Sequence, residues 1–325
     1  MKLEARKIMM KKARLHNLNS NITEKYKVFI CSASFESRCL AIPQKLKKRK
    51  FEKVIVLENS EGSDTIKEHG NSIANTYLGV SSIIAVPFSD SLAVADRLAK
   101  ELKSIKNRDT VLIDITTFTH ENLLIFLKVL QNDKKVKRIQ CAYLNASEYC
   151  PDSAIEKKWL SRGCGDIHSV LGFSGMILPS RKLHLIVIVG YEYDRAFEMI
   201  SAIEPNSMTL IYGESNSALT DKDKEANQIF NSLVQQMTFE FSNVESIQVP
   251  CNDPQAVSDA LQKLYLEHSD DNVMVVPMNS KVSTVGVYLS MRDNDDVQIC
   301  YAPAVVYNES NYSIPGKDCY LFDIK

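Results

Sequence analysis

A thirteen-residue stretch that occurs twice constrains this chain more than any other feature. Val86-Pro87-Phe88-Ser89-Asp90-Ser91-Leu92-Ala93-Val94-Ala95-Asp96-Arg97-Leu98 returns as Val249-Pro250-Cys251-Asn252-Asp253-Pro254-Gln255-Ala256-Val257-Ser258-Asp259-Ala260-Leu261, with seven identical positions at an offset of 163 residues. Repetition this dense inside one chain means a duplicated structural unit. Each copy leads from an apolar strand end through Val-Pro-x-x-Asp into a helix. At 325 residues the chain can hold two such units, each burying its own core.

The flanking sequence repeats the same rhythm. Tyr26–Ser32, Lys53–Leu57, Ser82–Val86, Thr110–Ile115 and Val136–Leu144 are short apolar runs suited to buried strands, with helical spacing between them. Leu183–Val189, Met208–Tyr212, Glu245–Val249, Asp271–Pro277 and Val297–Ala302 follow in the same order. Strands alternating with helices at this spacing predict an α/β fold, an internal duplication of a Rossmann-like parallel-sheet domain in two pseudo-symmetric halves. The expected division is 1–25 as a basic N-terminal arm or helix, 26–150 as the first repeat, 151–181 as a packed connector and 182–325 as the second repeat.

A net charge of -1 argues against a surface built throughout to hold nucleic acid, although Lys45–Lys50 leaves a local contact open. The longest apolar run, Leu185–Val189, is strand-sized, so no membrane segment is expected. Met1–Lys27 lacks a long apolar run and a small-residue cleavage site, and is not read as a secretory signal. Eight cysteines show no C-x-x-C and no zinc-ligand spacing with histidine, which predicts reduced, packed thiols, no metal and a cytoplasmic protein. The P-loop, the G-x-G-x-x-G turn and the G-x-S-x-G elbow are absent, so no cofactor is expected.

Open parallel sheets bind ligands outside the carboxyl ends of their strands, which selects the candidate residues. After the first strand stand Phe35, Glu36 and Arg38 in one copy and Tyr191, Glu192 and Arg195 in the other. An aromatic, a carboxylate and an arginine suit a base, a ribose and a phosphate, and equally a helix-capping ion pair. Asp90 and Asp253 follow the third strand and read as helix caps. After the fourth strand come Asp114, Thr116, Thr117 and Thr119, then Asn279, Ser280 and Lys281: hydroxyls and an amide at a helix start, able to cradle an anion or simply to cap. After the fifth, Asn145 and Tyr149 match Asn308 and Tyr312 within two Asn-x-Ser-x-Tyr loops.

The apolar strand followed by Asp114, Thr116, Thr117, Thr119 and a helix resembles the motif of CARF domains. The two-copy architecture resembles SAVED domains, which are like two CARF units in one chain. The resemblance implies a Rossmann-like sensor of cyclic oligonucleotides in prokaryotic antiviral defence. Phe118 stands where glycine is expected and His120 near the usual lysine; the second copy lacks the acidic residue but has Lys281.

The leading functional expectation is a nucleotide-signal sensor or regulatory protein, holding a nucleotide-type ligand of cyclic form in the crevice between the halves. Two alternatives stand beside it. One is a nucleotide-directed enzyme, an N-glycosidase, a ribosyltransferase or a protein like a phosphoribosyltransferase, with Glu36 or Glu192 as the working carboxylate. The other is a partner-binding module of a defence or toxin complex, with a protein partner or a second copy of the chain on its surface.

Overall fold

The computed structural model describes residues 8–153 and 158–325. Lys11–Arg14 (β1) is followed by a short helical turn, Leu18–Asn21 (α1). Strand and helix then alternate: β2 (Val28–Ser32), α2 (Arg38–Leu46), β3 (Lys53–Asn59), α3 (Asp64–Thr76), β4 (Ser81–Val86), α4 (Ser91–Ser104), β5 (Thr110–Asp114), α5 (His120–Asn132) and β6 (Arg138–Tyr149). Two short strands follow, β7 (Ser161–Cys164) and β8 (His168–Ser169). The alternation resumes with β9 (Leu183–Ile188), α6 (Tyr193–Ile203), β10 (Ser207–Gly213), α7 (Asp221–Glu240), β11 (Val244–Val249), α8 (Pro254–Glu267), β12 (Asn272–Pro277), α9 (Lys281–Met291) and β13 (Gln298–Tyr301). β14 (Ala304–Tyr307) and β15 (Ser313–Asp323) complete the described elements.

The duplication is visible in strand order. One sheet runs β1-β15-β6-β5-β2-β3-β4 and the other β11-β10-β9-β12-β13-β8. In each, the first strand of the alternation lies at the centre with the second and third on one side and the fourth and fifth on the other. All four pairings among those five strands are parallel in both sheets. This is the doubly wound, Rossmann-like arrangement, with its switch point between β2 and β5 in one sheet and between β9 and β12 in the other.

The chain divides into two compact units. Unit 1 holds the described residues up to Phe118 with Val129–Asn145 and Pro315–Lys325; unit 2 holds Thr119–Lys128 and the described residues of Ala146–Ile314. In unit 1, Phe29, Cys31, Val54, Val56 and Leu112 on the strands meet Ile42 and Leu46 of α2 and Ile73 of α3. In unit 2, Leu185, Val187, Leu210 and Val276 meet Ala196, Met199 and Ile200 of α6. Each fully buried aliphatic side chain contributes about 1.5–3 kcal/mol, and these cores hold the strand ends in place.

Three features depart from the sequence reading. Lys11–Arg14 is a strand, pairing antiparallel with β15, where a basic arm or helix was expected; Lys12 and Arg14 both reach Asp318. Residues 1–7 of that arm lie outside the described residues. The stretch 151–181, expected as a connector, supplies β7 to pair with β14 and β8 to extend the unit 2 sheet beside β13. Residues 315–325 belong to unit 1 and not to the second repeat, because Cys319 and Leu321 pack into the unit 1 core. Pro43 lies inside α2 without ending it, and its carbonyl accepts from Tyr77 Oη at 2.7 Å.

All eight cysteines are free thiols. Among the described residues no helix is long and apolar enough to cross a membrane, and no group of His, Cys, Asp and Glu could hold a metal ion. In the basic run Lys45–Lys50, Arg49 is engaged internally, donating to Asn19 Oδ1 at 2.9 Å and to the Glu24 carbonyl at 2.9 Å.

The repeated Val-Pro-x-x-Asp does the same work twice. Asp90 accepts from the Ala93 N–H at 2.9 Å to start α4, and Asp253 accepts from the Gln255 N–H at 2.9 Å to start α8. Asp90→Ala and Asp253→Ala should each cost about 1 kcal/mol, read as a lowered urea midpoint with unchanged slope.

Candidate functional site

At the carboxyl edge of unit 1, most of the expected ligand-binding side chains are occupied in joining strand ends. Asp114, the last residue of β5, is buried; its Oδ1 accepts from the Thr116 hydroxyl at 2.5 Å and from the Thr116 N–H at 3.1 Å. Thr116 Oγ1 in turn accepts from the Leu144 N–H at 3.0 Å, which fastens β6 to the end of β5. Thr117 donates to the Ser32 carbonyl at 2.8 Å, fastening the same turn to β2. Arg38 is 3% exposed; it donates to the Leu144 carbonyl at 3.2 Å and pairs with Glu36 at 2.7 Å. Phe35 packs against the core. Burial raises the Asp114 carboxyl to about 7, against the opposing pull of the Thr116 hydrogen bonds and the Arg38 charge.

The unit 2 edge is organised around a different set. Glu192 precedes α6, and its carboxylate binds Arg195 one turn on and the Ser161 hydroxyl from β7. Arg195 is 3% exposed, its guanidinium 5.9 Å from the Tyr301 ring. Burial alone would lower its pKa, but Glu192 with Tyr301, Tyr307 and Tyr312 outweighs burial and holds it cationic. Tyr307 approaches the guanidinium, yet Arg195 Nε and Nη1 are buried with no acceptor in hydrogen-bonding geometry.

Across the switch point, Asn279 donates to the Val189 carbonyl at 2.5 Å and accepts from the Ser280 N–H at 2.8 Å. Ser280 caps α9 through the Ser283 N–H at 3.0 Å. A side chain at Gly190 would strike the Met278 carbonyl, its Cβ 2.6 Å away, so only glycine lets the two loops run this close. Lys281, at the first turn of α9, lies 3.4 Å from His120 Nε2, and His120 Nδ1 bonds Thr284 Oγ1 at 2.6 Å. Burial, then the Lys281 and Arg195 charges, push His120 well below its ordinary value, so it is a neutral imidazole. Thr119 accepts from the Asn122 N–H at 3.1 Å and acts as the cap of α5.

The two Asn-x-Ser-x-Tyr copies are not structurally equivalent. Asn145 and Tyr149 lie in β6, which continues through the expected loop, whereas Asn308 and Tyr312 flank a 3-10 turn. Asn145 accepts from the Asp318 N–H at 3.3 Å in unit 1, and Asn308 donates to the Trp159 carbonyl at 3.1 Å in unit 2. Both tyrosines belong to unit 2 and meet there, ring centroids 6.4 Å apart, with Tyr191 5.0 Å from Tyr149. Ser161, Tyr301 and Tyr307 are further residues at this edge: Tyr301 ends β13, a strand the sequence predicts, whereas Ser161 and Tyr307 come from β7 and β14, whose pairing has no local signal.

The family model described as "HFX_2341_N:-like, N-terminal" matches residues 183–307. No curated protein matches the chain. Among solved structures, the chain is similar at a TM-score of 0.33 and 9% identity to the Acinetobacter baumannii Cap4 SAVED/CARF-domain containing receptor with the cyclic trinucleotide 3'3'3'-cAAA. That match covers 86% of this chain and 55% of the receptor, so the chain spans little over half of the receptor's length. A metagenomic short-chain oxidoreductase in complex with NADP is matched at a TM-score of 0.25 and 10% identity, over 83% of this chain and 92% of that one. The cytoplasmic domain of a prokaryotic cation chloride cotransporter is matched at 0.28 and 8%, over 88% and 99%.

Two outcomes follow from the electrostatics. Because burial raises Asp114 from 3.8 to about 7, the folded state favours its protonated form. That stabilisation is full below about pH 4 and is lost as pH rises through about 7. Asp114→Asn keeps an acceptor for Thr116 and should remove this dependence, worth on the order of 4 kcal/mol at most, in urea unfolding from pH 4 to 8. Glu192→Ala strands a buried guanidinium and should cost about 3–5 kcal/mol in the same assay.

Proposed function

We propose that the chain is a sensor of a nucleotide-type signal of the cyclic oligonucleotide class, acting in prokaryotic antiviral defence. The observation that carries the binding is the unit 2 edge. A buried arginine with two unfilled donors stands beside half-buried Tyr307 and Tyr312, and Tyr312 belongs to a tyrosine cluster with Tyr149 and Tyr191. Arginine donors suit a phosphate oxygen, and tyrosine faces suit a base. The cyclic class and the defence role rest on the resemblance of Asp114–His120 to CARF domains.

Glu192 and Glu36 position arginines in this reading. Each carboxylate is held by a buried guanidinium, which serves orientation better than proton delivery at a reacting bond. Lys281 and Arg195 bring positive charge to bear on His120, and Ser280 and Asn279 order the α9 start beside it.

Calorimetry against linear and cyclic nucleotides should show saturable binding, weakened about tenfold or more by Tyr149→Ala, the scale of losing one base–aromatic stack. No binding by protein shown to be folded would remove the proposal. Incubation with NAD, nucleosides and cyclic nucleotides, read by mass spectrometry, should show no turnover; turnover lost in Glu36→Gln or Glu192→Gln would establish the enzyme reading instead.

A further inference from the structure

The four loops that enter β6, β5, β2 and β3 lie side by side, because these strands are neighbours in the unit 1 sheet and all run parallel. At a strand spacing of about 4.8 Å the row spans about 15 Å along the amino edge of the sheet. Main-chain bonds fix it in place. The Lys137 N–H donates to the Asp109 carbonyl at 2.8 Å, the Lys27 N–H to the Thr110 carbonyl at 3.0 Å, and the Glu52 N–H to the Lys27 carbonyl at 2.8 Å.

The row gathers cations that lie far apart in sequence. Lys134, Lys135 and Lys137 stand before β6 and Lys106 before β5. Lys25 stands before β2, and Lys47, Lys48 and Lys50 before β3. All eight are exposed, and none makes an ion pair among the described residues. The acids of the same loops are mostly neutralised. Glu24 pairs with Arg138 at 3.0 Å, Glu52 with Lys27 at 3.0 Å and Asp133 with Arg108 at 2.5 Å. Asp109 is the one acid of these loops that is exposed without an ion pair among the described residues. Eight uncompensated lysines against one carboxylate make a strongly positive face on a chain whose net charge is -1.

The spread of these charges selects the partner. A lone phosphate is held by converging donors, and the arginines within these loops, Arg49 and Arg108, donate to internal acceptors instead. Exposed ammonium groups set out in a row suit a ligand with many spaced charges, as along a nucleic-acid backbone. Tyr26 and Phe51, the aromatic residues of the four loops, are buried, so unpaired bases find no stacking surface there. None of the four loops exposes a large apolar side chain, and charge without apolar insertion anchors poorly to a bilayer. We propose that the amino edge of unit 1 binds double-stranded nucleic acid through its phosphates, without reading sequence. This surface is separate from the unit 2 edge assigned to the nucleotide signal, and the two proposals stand or fall independently.

Fluorescence anisotropy with labelled DNA and RNA duplexes of about 20 base pairs, at salt from about 50 to 200 mM, tests this. The wild-type protein should bind at least one kind of duplex irrespective of its sequence. Its log affinity should fall against log salt with a slope of up to about 7, the limit for eight neutralised phosphates. Lys47→Gln/Lys48→Gln/Lys50→Gln and Lys134→Gln/Lys135→Gln/Lys137→Gln should each weaken binding about tenfold or more at the lower salt and reduce that slope by about 3. Neither triple substitution breaks an ion pair among the described residues, and circular dichroism checks that both fold. Lys224→Gln/Lys263→Gln removes exposed lysines of unit 2 and should leave binding unchanged. Three results overturn the proposal: no duplex binding by folded wild-type protein at the lower salt, binding that survives both triple substitutions, or binding to phosphatidylserine vesicles in place of duplexes.

Discussion

Asp114 is the residue on which the unit 1 edge depends. Parallel strands end in backbone groups that their neighbours cannot satisfy, and here one carboxyl group settles three of those ends. Asp114 orders the Thr116 turn, Thr116 receives the Leu144 N–H, and Thr117 returns to the Ser32 carbonyl. Arg38 completes the knot by holding the Leu144 carbonyl from the first turn of α2. The price is a buried carboxyl whose charged form is disfavoured, which is why its pKa climbs to about 7.

Unit 2 meets the same demand with different atoms. Asn279 bridges the ends of β9 and β12 where Asp114 and the threonines act in unit 1, and Ser280 caps the following helix. An amide needs no counter-charge, so the buried arginine of unit 2 is free of the strand junction. Arg195 bonds Glu192, and its Nε and Nη1 have no acceptor in hydrogen-bonding geometry, whereas Arg38 donates to Glu36 and a backbone carbonyl. Two arginines that look alike in sequence thus have different partners: one ties strand ends together and the other pairs with the carboxylate one turn before it.

The aromatic neighbours show the limit of reading repeats as equivalents. Tyr149 and Tyr312 occupy matching sequence positions, yet they touch in one unit because β6 continues past its expected end while Asn308–Tyr312 folds as a turn. Two residues that approach the Glu192–Arg195 pair, Ser161 and Tyr307, come from the β7–β14 pair. Neither strand carries a pattern strong enough to predict its partner.

By itself the sequence determined the class of fold, the number of copies and the helix starts at Asp90 and Asp253, because apolar periodicity and local capping act over a few residues. Tertiary structure decided what those rules do not reach. It assigned Lys11–Arg14 and Ser313–Asp323 to the unit 1 sheet, drew the described residues of 151–181 into unit 2, and set the hydrogen-bond partners of the polar residues at the strand ends. The physical reason is that a buried polar atom is settled by whichever donor or acceptor arrives from another part of the chain. That arrival depends on strand pairing across more than a hundred residues, as between Leu144 and Arg38, and not on the residues adjoining it in sequence.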